Sequence, residues 1–112
     1  MGGLPLRFKH EGLIERYQME GMDPSDRSFN RTVFVNRTGG GYVGRVIYEA
    51  FAVEGAATQP TTAAAVRSIA DRLQEFGFTH LRSRLNFKGA HYLAEKETWV
   101  EYLDRPATVQ SR

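Results

Sequence analysis

The sequence predicts a single α+β domain: a mostly antiparallel sheet of about five strands with one amphipathic helix on one face, in the order β-β-β-α-β-β. Three observations predict it. Apolar and polar residues alternate with period two in several short stretches, and only one stretch carries helical periodicity. The third is size: 112 residues with 41% hydrophobic and 25% charged side chains suit one core rather than two.

Taken in order, Leu4, Leu6 and Phe8 alternate with Pro5, Arg7 and Lys9, so residues 4–9 read as a half-buried strand, with Pro5 fitting its start or an edge. Residues 18–30, punctuated by Gly21, Asp23-Pro24 and Ser25-Asp26, keep no period and read as an irregular connection. TVFV at 32–35 and YVGRVIYEAFAV at 42–53 are rich in β-branched and aromatic residues and form a hairpin across Asn36–Gly41. Along its second arm, Tyr42, Gly44, Val46 and Tyr48 share one side. Val43, Ile47, Phe51 and Val53 make the other side more aliphatic, and that side is expected under the helix.

Residues 61–76 form the helix. Thr61 and Thr62 can cap it, Ala63–Ala65 favour it, and Val66, Ile69, Ala70, Leu73 and Phe76 make one stripe before Gly77 stops it. After it, Leu81, Ser83, Leu85 and Phe87 alternate with Arg82, Arg84, Asn86 and Lys88. A last strand follows, with Thr98, Val100 and Tyr102 on one side and Glu97, Trp99, Glu101 and Leu103 on the other. If the basic and acidic sides of these two strands share a face, Arg82 stands opposite Glu101 and Arg84 opposite Trp99. Residues 105–112 read as a frayed tail.

Composition narrows the function. There is no cysteine, which removes disulfide and thiol chemistry, and the net charge is only +2. Residues 1–50 hold seven basic and six acidic side chains and residues 51–112 hold eight and seven, so neither half is a basic arm. The N-terminal residues lack a signal-peptide pattern and no stretch approaches a membrane span, so the expected location is the cytoplasm, with no membrane partner.

Few motifs carry chemistry. Thr38-Gly39-Gly40-Gly41 lacks the Lys and following helix of a phosphate loop and reads as a hairpin loop, with Gly44 a bulge or a close-packing site. Gly41–Tyr48 has a passing likeness to the base-stacking strand of RRM domains, but the strands preceding the helix have the wrong order for that family. His10, His80 and His91 have no metal-ligand spacing, so no metal or cofactor is expected. His91, Tyr92 and Glu95 are the most site-like trio, yet fit a turn. No serine has a nucleophile context, so no catalytic residue is nominated. Asn30-Arg31-Thr32 and Asn36-Arg37-Thr38 match glycosylation sequons by chance.

One helix hides one face of a sheet. The face left open is the expected site, and Tyr42, Arg45, Tyr48, Arg82, Arg84, Lys88 and Trp99 are its candidate binding residues. This makes the chain a small non-catalytic binding or assembly module whose partner is another protein or a second copy. A nucleic-acid-binding face is the alternative, requiring Arg37, Arg45, Arg82, Arg84 and Lys88 to converge. A small enzyme around His91, Tyr92 and Glu95 comes third.

Overall fold

The computed structural model of the chain describes residues 13–55 and 57–104. The strand expected at 4–9 and the tail at 105–112 lie outside the described residues. Strands β1 (Leu13–Met22), β2 (Ser28–Thr38), β3 (Gly41–Tyr48) and β4 (Phe51–Glu54) precede the helix α1 (Thr62–Glu75). β5 (Thr79–Lys88), β6 (His91–Tyr92) and β7 (Val100–Glu101) follow it. All pair antiparallel in one sheet of order β4-β3-β2-β1-β5-β6, with β7 sharing the outer edge of β5. The α+β class stands as expected, with seven strands among the described residues rather than five.

Three strand boundaries depart from the sequence reading: the last strand, expected over 97–103, is only Val100–Glu101, and two turns fall where none was expected. Residues 18–30 are not an irregular connection: β1 runs through Met22, β2 opens at Ser28, and only residues 23–27 turn. Asp23 explains the compression. Its Oδ1 accepts the Ser25 and Arg27 amides at 2.8 and 2.9 Å, while Oδ2 accepts the Tyr48 hydroxyl at 2.5 Å and Arg27 Nε at 3.2 Å. One carboxylate thus closes the turn and ties it to β3. Residues 42–53, read as one arm, fold back at Glu49–Ala50 so that Tyr48 faces Phe51, with Glu49 at φ 55°. Neither turn residue carries a turn signature, so the pattern concealed it.

The helix matches its prediction closely. Thr61 caps it by accepting the Ala64 amide at 3.1 Å, and Ala65, Val66, Ile69, Ala70 and Leu73 are buried. Gly77, at φ 101°, lets the Phe78 amide return to the Leu73 carbonyl at 3.0 Å and its own amide to Gln74 at 3.0 Å, closing the end. Phe76, assigned to the buried stripe, is 54% exposed because the chain has already turned at this cap position.

The helix covers the side of β3 opposite to the one expected. Gly44 and Val46 are buried beneath it, whereas Ile47 is 48% exposed. Shape outweighs aliphatic content here. A Cβ at Gly44 would lie 2.9 Å from the Ala65 carbonyl oxygen and 2.9 Å from Ile69 Cγ1, so the bare backbone is the seat on which the helix rests. Met19, Val33, Val35 and Leu81 complete the core on this side.

Candidate functional site

No helix among the described residues covers the other face of the sheet, and strand register assigns its side chains. Along β1, Tyr17 and Met19 face α1, which sends Arg16, Gln18 and Glu20 to the open side. Opposite Arg16 stand Phe34 on β2 and Phe87 on β5. Phe34 in turn opposes Arg45, Arg45 opposes Glu54, and Phe87 opposes Tyr92. One transverse row therefore reads Glu54, Arg45, Phe34, Arg16, Phe87, Tyr92 across six strands. Two residues further along β1, Gln18 lies between Thr32 and Arg84; two further again, Glu20 lies between Asn30 and Arg82.

Guanidinium groups and rings interlock on this surface. The Arg16 guanidinium carbon is 3.8 Å from the Phe87 ring centroid, and those of Arg82 and Arg84 are 4.1 and 4.2 Å from that of Trp99. Such stacking gives each planar cation a fixed orientation at modest entropic cost. Arg82 also binds Glu20 Oε1 through Nη2 at 3.0 Å and Nε at 3.3 Å, and Gln18 donates to Glu20 Oε2 at 3.2 Å. Arg45 Nε approaches Glu54 at 3.8 Å. Among the described residues no carboxylate pairs with Arg16 or Arg84, and the Nε of each is covered without a hydrogen-bond partner.

Of the seven candidate binding residues, Arg45, Arg82, Arg84 and Trp99 share this face. Tyr42 and Tyr48 do not, a correction that follows from the seating of α1 on Gly44. Tyr42 accepts Arg37 Nη2 at 3.2 Å, and Tyr48 packs edge-on against Phe29 and Phe78 at 5.4 and 5.3 Å. Lys88 is also corrected. The β1–β5 register slips between Leu85 and Phe87, so Asn86 is an extra residue that turns Phe87 outward and sets Lys88 opposite Glu15, on the helix side. The register placing Arg82 opposite Glu101 is present, with Ser83 opposite Val100. Arg82 nonetheless takes its ion pair from Glu20, because β1 lies directly beside β5.

Sequence reasoning missed Arg16, Gln18, Glu20, Phe34 and Phe87. The first three had a signal: Tyr17 and Met19 alternate with them in period two, obscured by reading a loop from residue 18. For Phe87 no signal exists, since a bulge leaves no pattern of its own.

Other candidates gather less. His91, Tyr92 and Glu95 are all exposed, and Tyr92 is occupied by Lys96, whose Nζ bonds its hydroxyl at 2.7 Å. The glycine run is a two-residue turn at Gly39–Gly40, with Thr38 facing Gly41. An open depression of about 680 Å³ lies at the β1–β2 turn end, lined by Glu20, Ser28, Asn30, His80 and Arg82 among others. No three His, Asp or Glu side chains among the described residues are grouped to hold a metal ion, and no described helix is long and apolar enough to cross a membrane.

Three tyrosines on the covered side have hydroxyls raised above the ordinary range: Tyr17, pushed well up, first by burial and then by its bond to Glu15; Tyr48, first by its bond to Asp23; and Tyr102, by burial. The Tyr48 hydroxyl bonded to Asp23 holds that carboxyl down at about 2. These groups serve the fold. They lie on the far side of the sheet or in the turn, away from the arginine rows.

Compared with known proteins, the chain matches no family model, no curated protein and no solved structure.

Proposed function

We propose that the chain is a non-catalytic binding module that engages another protein through the sheet face that no described helix covers. The observation that carries this reading is the pair Arg16 and Arg84, half-buried cations held over the rings of Phe87 and Trp99 with no carboxylate of the described chain to neutralise them. Oriented arginine and aromatic side chains of this kind dominate protein interfaces, and a carboxylate or an aromatic ring arriving from a partner meets a guanidinium that is already ordered.

A nucleic-acid reading is less well supported. Arg37 and Lys88 belong to the helix side, Arg82 is paired with Glu20, and Arg45 with Glu54, which removes the convergence of five cations that a phosphate backbone requires.

The test is retention by immobilised wild type beside an Arg16→Ala/Arg84→Ala/Trp99→Ala variant, each with and without nuclease. A protein retained after nuclease and lost by the variant is the expected result. Recovery that disappears with nuclease, or that is equal for both forms, overturns the reading.

A further inference from the structure

The row Glu54, Arg45, Phe34, Arg16, Phe87, Tyr92 has a property that goes beyond a general binding surface: it is complementary to itself in reverse. Laid over a second row running the other way, Glu54 meets Tyr92, Arg45 meets Phe87, and Phe34 meets Arg16. The first contact joins a carboxylate to a phenol hydroxyl, and the other two set a guanidinium on an aromatic ring. We infer that the partner of this face is a second copy of the chain, docked about a two-fold axis that runs parallel to the strands between β1 and β2. This rests on reading the face as a protein-contact surface and names its occupant.

A two-fold axis in that position preserves level along the strands and exchanges β2 with β1, β3 with β5 and β4 with β6, which is the reversal the row requires. The next row obeys the same rule. Thr32 on β2 comes over Gln18 on β1 of the other copy, and Ile47, 48% exposed two residues beyond Arg45, comes over Arg84 and Trp99.

Size and geometry permit it. Six strands at a spacing of about 4.8 Å and about eight residues of strand give on the order of 600 Å² of projected area, close to the roughly 800 Å² that each side of a stable pair buries. Aligned sheets cross at about 30°, which displaces facing rows by about 4 Å at β3 and β5 and about 6 Å at the outer strands. Long Arg, Glu and Tyr side chains span such offsets, and the Phe34–Arg16 contacts beside the axis are displaced least.

The chain has no cysteine, so single cysteines can be introduced to read the register. Light scattering on the full 112-residue chain should give a dimer mass, and Arg16→Ala should raise the dissociation constant roughly tenfold or more, because a two-fold interface loses the contact twice. Phe34→Arg sets like charges together and should abolish the dimer, and mixing Phe34→Arg chains with Arg16→Glu chains should restore a mixed pair, because the two changed positions then meet only across the interface. A mixture of Arg45→Cys and Phe87→Cys chains should cross-link with a short bis-maleimide, whereas either chain alone should not. Native circular dichroism and cooperative, concentration-independent thermal unfolding of the monomeric variants separate lost docking from lost fold. A wild type that stays monomeric at every concentration, or a dimer that cross-links without the 45–87 register, overturns the second copy as occupant. If the face variants then still lose a different retained protein, the binding face survives and only its occupant was wrong; if they do not, both fall.

Discussion

Replacing Gly44 by alanine tests the packing decision on which the open face depends. The added Cβ would sit 2.9 Å from the Ala65 carbonyl oxygen and 2.9 Å from Ile69 Cγ1, with the Ala65 carbonyl carbon at 3.4 Å. The first of these is helix backbone and has no rotamer through which to escape. Restoring ordinary contact requires α1 to lift by about 0.5–1 Å at its central turns, a gap that forfeits a quarter to a half of each affected dispersion contact. Overpacking of this kind costs about 1–3 kcal/mol. Reduced freedom of the unfolded chain returns about 0.4–1 kcal/mol, so the net loss should be about 1–2 kcal/mol, lowering Tm by roughly 5–15 °C. Chemical and thermal unfolding followed by circular dichroism measures it. Gly40→Ala is the control, since a Cβ there meets nothing within 4 Å. A Gly44→Ala protein as stable as wild type would refute the argument that the bare backbone at 44 seats the helix and leaves the arginine face open.

Asp23→Asn should flatten the acid limb of stability. The folded carboxyl is lowered to about 2 by the Tyr48 hydroxyl and turn amides, so its contribution is present above the ordinary value of 3.8 and is lost as pH falls toward 2. Urea midpoints at pH 5 and pH 2.5 should differ less in the variant than in wild type. The reverse holds at alkaline pH. Tyr17 and Tyr102 have raised folded values, so the stability they contribute is complete below pH 10 and declines as pH rises beyond it, which Tyr102→Phe should partly suppress. At neutral pH the same Tyr102→Phe change leaves the buried Ser83 hydroxyl without its 2.8 Å partner and should cost about 1–2 kcal/mol in denaturant titration. Thr61→Ala removes the acceptor for the Ala64 amide and should cost about 1 kcal/mol, read in the same assay.

The sequence by itself determined what local pattern can encode. Val66, Ile69, Ala70 and Leu73 at helical spacing, with a Thr before and Gly77 after, were sufficient for α1, since caps and periodicity are written in neighbouring residues. Alternation in residues 81–85 and the pairing of Arg82 with Glu101 were legible for the same reason. Single-residue events escaped: Asn86 reverses which of Phe87 and Lys88 faces outward, and Glu49–Ala50 divides one apparent strand into two.

What only the tertiary structure decided is the composition of the open face. Both sides of β3 are apolar enough to be covered, and the choice between them rests on the missing Cβ of Gly44 against the Ala65 carbonyl, a contact between residues far apart in the chain. Once α1 takes that seat, Tyr42 and Tyr48 pass to the covered side. β1, entering between β2 and β5, then brings Arg16 between Phe34 and Phe87. Periodicity records which residues share a side of one strand. Which side is buried, and which strands lie beside it, is set by shape and register between strands, and these exist only in the folded chain.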